Sequence, residues 1–165
     1  MSTRRQRFIG AVMASAAFPG MVAGCASAGP SNDELRATIE TAMVETVPTV
    51  TGALVNVFSS GTEGQGIGIK LYVDDATPES LAETIDTALG TAWKISDFQP
   101  TDISISAVDG PKPTDAKMGS IDGVDLAVVA TSLGFDPTLS SLDVLMVPAD
   151  ALSQRYGEWE KSSGE

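Results

Sequence analysis

A chain of 165 residues, 42% of them apolar, is long enough for one domain with a buried core and too short for several. Its 22 acidic against ten basic residues give a formal charge of −12, a field that repels nucleic acid and anionic headgroups, so neither is an expected partner. Histidine is absent and cysteine occurs once, which removes the commonest general base near neutral pH, every imidazole metal ligand and any internal disulfide.

Arg4, Arg5 and Arg7 make a cationic start, Phe8 to Val22 an apolar stretch, and Val22-Ala23-Gly24-Cys25 sets small residues before the lone cysteine. Ser15, Pro19 and Gly20 interrupt the stretch, which falls short of the roughly 20 apolar residues a membrane span needs. The motif Val22-Ala23-Gly24-Cys25 resembles the lipobox of bacterial lipoproteins, with Val22 where many members carry Leu. That resemblance implies cleavage before Cys25, a diacylglycerol-type lipid (such as palmitate chains) on its thiol, and a domain held on the extracytoplasmic face of the cell membrane. Two acyl chains anchor a protein essentially permanently, since each buried methylene contributes about 0.8 kcal/mol. Thr3-Arg4-Arg5 is also similar to a twin-arginine signal, although Arg7 stands where that motif has an apolar residue, so both export routes stay open. Loss of residues 1–24 from 165 leaves 141, and loss of three arginines takes the charge from −12 to −15.

The expected division is a signal peptide at 1–24, a lipidated N-terminus and spacer at 25–30, a single domain at 31–160 and a disordered tail at 161–165. Ser31 and Glu34 have the spacing of a capping box, and Leu35, Ile39, Ala42 and Met43 follow at helical spacing until Pro48. Ala53 to Phe58 has strand composition, and Ile67, Ile69, Leu71 and Val73 alternate with Gly68, Lys70 and Tyr72, which predicts a hairpin with one buried face. Thr77-Pro78-Glu79 predicts a second helix, with Leu81, Ile85, Ala88, Leu89 and Ala92 as its apolar stripe. Ile103, Ile105 and Ala107 predict a third strand ending at Asp109-Gly110-Pro111, and Lys112 to Lys117 an exposed loop. Val124 to Leu133 is expected to be a buried helix capped by Gly134, Leu142, Val144 and Met146 an alternating fourth strand, and Pro148 the opening of a short helix carrying Leu152 and Tyr156.

This order predicts an α+β fold, a two-layer sandwich with a mainly antiparallel four-stranded sheet and helices packed on one face. Residues 31–107 are similar in element order to BON domains, small envelope modules linked to membrane or partner attachment. The whole chain resembles small lipoproteins of actinobacteria in its Ala, Asp and Thr bias, a label that implies no activity and no site residues.

The candidate chemistry is sparse. A Ser with Lys70 or Lys94 as base is chemically conceivable, but no Ser-x-x-Lys motif is present, and acylation of Cys25 removes the only thiol nucleophile. Asp74, Asp75, Glu79 and Glu83 could supply paired carboxylates for sugar chemistry, yet they read as turn and helix-start acids. Gly61-Thr62-Glu63-Gly64-Gln65-Gly66 lies between strands and carries Glu63, which suits a hairpin loop and opposes a phosphate. Asp122-Gly123-Val124-Asp125 lacks the oxygen ligands of a calcium loop and reads as a helix start. Trp93, Phe98, Tyr156 and Trp159 are candidate partner contacts, with core packing as the alternative. The expectation is a membrane-anchored, non-enzymatic lipoprotein without metal or cofactor that binds or supports another envelope component. The alternative is a lipoprotein that binds a small molecule or a cation.

Overall fold

The computed structural model describes residues 31–59, 64–120, 122–141 and 143–161. The motif Val22-Ala23-Gly24-Cys25, the spacer, Gly61 to Glu63, Leu142 and residues 162–165 lie outside the described residues.

Helix α1 spans Asn32–Thr46 and starts in the expected capping box: the Ser31 N–H donates to Glu34 Oε2 at 2.7 Å and the Glu34 N–H to Ser31 Oγ at 3.3 Å. Its apolar stripe, Leu35, Ile39 and Met43, is buried against strand β1, Val50–Ser59. Strand β2, Gln65–Val73, pairs antiparallel with β1 from Ser59↔Gln65 to Val50↔Val73. Helix α2, Pro78–Ile95, then crosses the sheet, and strand β3, Asp102–Asp109, returns beside β2 and parallel to it. A long helix uses up the whole length of the sheet, so the next strand must start from the same end as the last, which is the geometry of a parallel crossover.

The rest of the chain adds helix α3 (Ala127–Ser132), a 3₁₀ turn (Pro137–Leu139), the two-residue strand β4 (Ser140–Ser141), strand β5 (Val144–Pro148) and helix α4 (Ala149–Tyr156). The strand order is β1-β2-β3-β5-β4, with β5 antiparallel to both β3 and β4. The fold is thus α+β, but the expected four-stranded, mainly antiparallel sheet is corrected to a five-stranded mixed sheet whose central pair is parallel.

One face of that sheet carries the hydrophobic core. Val55, Ile69, Ile105 and Leu145 meet Ile39, Ile85, Leu89, Val129 and Leu152 from the four helices in a single cluster. Burial of one such side chain stabilises the fold by about 1.5–3 kcal/mol.

Three local expectations change. In β2, Gly68, Lys70 and Tyr72 are buried as well as the alternating Ile67, Ile69 and Leu71, because both faces of this strand are covered. In β5 the buried residues are Leu145 and Val147, whereas Val144 is half-buried and Met146 is 50% exposed, one residue out of phase with the expected set. Helix α3 begins only at Ala127, because the Val124 N–H donates to the Ala107 carbonyl at 2.8 Å and extends the edge of β3 where β5 has ended. Gly134, at φ +78°, does close α3: its N–H bonds Thr131 O and the next, of Phe135, bonds Ala130 O.

Candidate functional site: a strap and groove on the second sheet face

The face away from the helices is crossed by a strap, described over residues 110–120 and 122–125, which leaves the end of β3 at Gly110 and returns to its edge at Val124. Lys112 fastens the first part: its ammonium donates to the Ala53 carbonyl on the outer edge of β1 at 2.6 Å, and its alkyl stem lies over Gly52. Met118 then reaches Gly68, where an added Cβ would sit 3.3 Å from the Met118 methyl group. A methyl group at 68 would ask the flexible end of Met118 to give by a few tenths of an ångström, so the strap lies close on the strand here.

Lys70 is the latch. It projects from the centre of β2, only 2% exposed, and its ammonium meets the Asp122 carboxylate, the Ser120 hydroxyl and, at 3.1 Å, the Ser120 carbonyl. Three acceptors match the three donors of an ammonium, which is the condition for burying one. The Lys70 hydrogen bond is the main cause that holds the Asp122 carboxyl below the usual aspartate range, with the Ser120 hydroxyl adding to it. Of the helix start expected at Asp122 to Asp125, Asp125 alone serves it, accepting the Ala127 N–H at 2.9 Å at the beginning of α3; Asp122 instead holds Lys70, and the Val124 N–H bonds the β3 edge at Ala107.

Beside the strap lies a groove of about 450 Å³, within the range of small-molecule sites. Asn56 and Phe58 of β1, Ser104 and Ser106 of β3, and Met118, Ser141, Asp143 and Val144 line it, with Gly68 and Lys70 in its floor. Phe58, Met118 and Val144 are among its apolar lining residues. Among the described residues, neither the Asn56 amide nor the Ser106 hydroxyl is hydrogen-bonded to another group of the protein. Asp143, 7% exposed, accepts a 2.9 Å hydrogen bond from the Gly123 N–H through Oδ2, and its Oδ1 takes none among the described residues. Gly123 is packed tightly here: a Cβ would lie 2.7 Å from Asp143 and 3.0 Å from the Ala107 carbonyl.

The residues singled out from sequence are dispersed. Trp93 is 1% exposed, with its indole N–H on Gly157 O at 2.9 Å, and so offers no contact surface. Trp159 donates to Ser96 Oγ, at the C-cap of α2, at 3.1 Å and Tyr156 to Asp86 Oδ1 at 2.6 Å, so these two tie the C-terminal segment to α2 and its end, while Phe98 packs partly buried against the core. Arg155 completes that tie with a two-pronged bond to Asp86, at 2.6 and 2.8 Å. The Arg155 bond is the main cause that holds the Asp86 carboxyl low, while burial and then Asp86 push the Tyr156 hydroxyl up. Asp75 accepts from the Thr77 N–H at 3.0 Å at the start of α2, and Lys94 is exposed on that helix.

Of the candidate residues, Lys70 lines the groove, while Asp122 reaches it only through its bond to Lys70. Asn56, Phe58, Ser104, Ser106, Met118 and Asp143 were not singled out. A signal for Lys70 existed: it is a lone charge inside an apolar alternation, preceded at the two like positions by Gly68 and Gly66. Among the described residues, no group of three or more His, Cys, Asp or Glu could hold a metal ion, and no helix is long and apolar enough to cross a membrane. No protein-family model, curated protein or solved structure matches the chain.

Proposed function

We propose that this chain is a lipid-anchored, extracytoplasmic binding protein of the cell envelope, tethered through Cys25, which holds a small molecule in the groove of the second sheet face. The observation that carries the binding reading is the groove itself: a concave site with an apolar wall and hydrogen-bonding groups that the fold does not use. The anchor rests on the motif Val22-Ala23-Gly24-Cys25. A non-catalytic role is supported by the state of Lys70. It meets Ser120 as a hydrogen-bond donor rather than as a base, and the serine hydroxyl donates instead to Asp122 Oδ1 at 3.1 Å and to the Lys117 carbonyl at 3.2 Å. A protein partner docked on the four aromatics is the weaker reading, because three of them spend their polar atoms on the fold.

Native mass spectrometry of the full-length protein extracted from membranes tests the groove. A bound small molecule is expected, and Ser106→Trp, which fills the groove from β3, should remove it. An unchanged adduct in Ser106→Trp would overturn the site. Cys25→Ala should shift the exported protein out of the membrane fraction, and its retention there would overturn the anchor.

A further inference from the structure

The groove is lined by one basic and one acidic side chain, Lys70 and Asp143, and their surroundings are not equivalent. Lys70 has all its donors occupied, and its charge is matched by Asp122 at contact distance. An acidic ligand would have to displace Asp122 to reach it. Asp143 has no such counterion: among the described residues it forms no ion pair, and one of its two oxygens accepts a single backbone N–H. Burying a carboxylate without a cation is costly, and a single neutral hydrogen bond compensates only part of that cost. Oδ1 is also not sealed in the interior, since it is not among the fully enclosed unpartnered atoms, and Asp143 lines the groove. The groove therefore carries one uncompensated negative charge at one end and the apolar surfaces of Phe58 and Met118 along its length.

We infer that the groove takes an organic ammonium: a protonated amine that pairs with Asp143 Oδ1 and carries an apolar body across Phe58 and Met118. The inference rests on the groove being a ligand site and adds the charge and shape of what occupies it. Charge complementarity chooses the cation, because a charge-assisted bond to a largely desolvated carboxylate is about twice as strong as a neutral one. The net charge of −12 acts in the same direction by raising the local concentration of cations around the protein. The mixed lining excludes a bare metal ion as the natural occupant, since a single carboxylate and an apolar wall replace too little of its hydration shell.

Three probes with one chain and three heads separate the contributions: hexylammonium, 1-hexanol and hexanoate, titrated into the full chain in a nonionic detergent and read by ligand-observed NMR. Hexylammonium should bind at least tenfold more tightly than the other two. Asp143→Asn keeps an amide oxygen for the Gly123 N–H, so it should fold. It should weaken hexylammonium at least tenfold and leave hexanol unchanged, whereas Glu83→Gln, on the exposed side of α2, should change neither. Equal binding of all three probes, abolished by Ser106→Trp, would overturn the ammonium and leave the groove standing. Preference for hexanoate would overturn the ammonium and point to exchange with Asp122 at Lys70. Binding of every probe untouched by Ser106→Trp, or no binding at all, would overturn both the ammonium and the groove as its site. The probe comparison on the unmodified chain decides the matter even where a variant fails to fold.

Discussion

The two faces of the sheet are covered by different means. On one, four helices place Ile39, Ile85, Val129 and Leu152 over the strands, and hydrophobic burial does nearly all the holding. On the other, fifteen or so residues of irregular chain are held by side-chain hydrogen bonds: Lys112 on an edge carbonyl, Lys70 on Ser120 and Asp122, and Asp143 on the Gly123 N–H. The helix face is built round the core. The strap face leaves polar atoms over and a groove open, the feature on which the proposed binding role rests.

The comparison breaks first if the helix face is not the main source of stability. Ile85→Ala removes a fully buried side chain at the α2 contact with the sheet, and should destabilise by about 2–5 kcal/mol in a denaturant titration. A loss below that of any strap variant would invalidate the contrast.

The latch offers a sharper test, because its two partners differ in burial. Asp122→Ala strands a buried ammonium and should cost about 2 kcal/mol, whereas Lys70→Met leaves Asp122 facing water and should cost under about 1 kcal/mol. The reverse order would mean that the ammonium reaches solvent.

Acid should weaken the protein through its lowered carboxylates. Asp86 titrates below its usual value in the folded chain because Arg155 donates to it, so its stabilising contribution is complete above the unfolded value of about 3.9 and is lost as pH falls through the lower folded value. Melting temperature should therefore fall between about pH 5 and pH 2. In Arg155→Met the native protein should melt lower at pH 7, and the acid-dependent fall should be shallower. An unchanged acid slope would show that Asp86 does not owe its acidity to Arg155.

The smallest effect concerns the β1 edge. Lys112→Ala frees the Ala53 carbonyl, while Glu40 still accepts from the Val55 N–H on the same edge at 2.9 Å. Stability should change by under about 1 kcal/mol, and the measurable consequence should be concentration-dependent self-association through an edge that has lost one of its two guards. A strictly monomeric variant at high concentration would show that Glu40 suffices.

Much of the helix face was legible in the chain. The Ser31/Glu34 box, the α2 stripe from Leu81 to Ala92 and the Ile103-Ile105-Ala107 alternation each depend on neighbours within a few residues, and each took the expected form. The β5 register went the other way. Val144 to Val147 is apolar at every position, so alternation could not say which pair points inward, and only pairing with β3 at Ile103↔Val147 and Ile105↔Leu145 decides it. The groove was less legible still, since its lining is drawn from β1, β3, the strap and Asp143, segments far apart in sequence.

Local order determined what the sequence by itself could reveal: where helices start and stop, which strand residues alternate, that the acids outnumber the bases by twelve, and that Val22-Ala23-Gly24-Cys25 resembles a lipobox. Tertiary structure alone decided that β2 and β3 run parallel, that the segment after Gly110 lies across the sheet, and that Lys70 and Asp143 border one groove. The physical reason is range. Capping and periodicity act over one or two turns of chain, whereas strand order and the pairing of Lys70 with Asp122, 52 residues away, exist only once the core has brought those segments together.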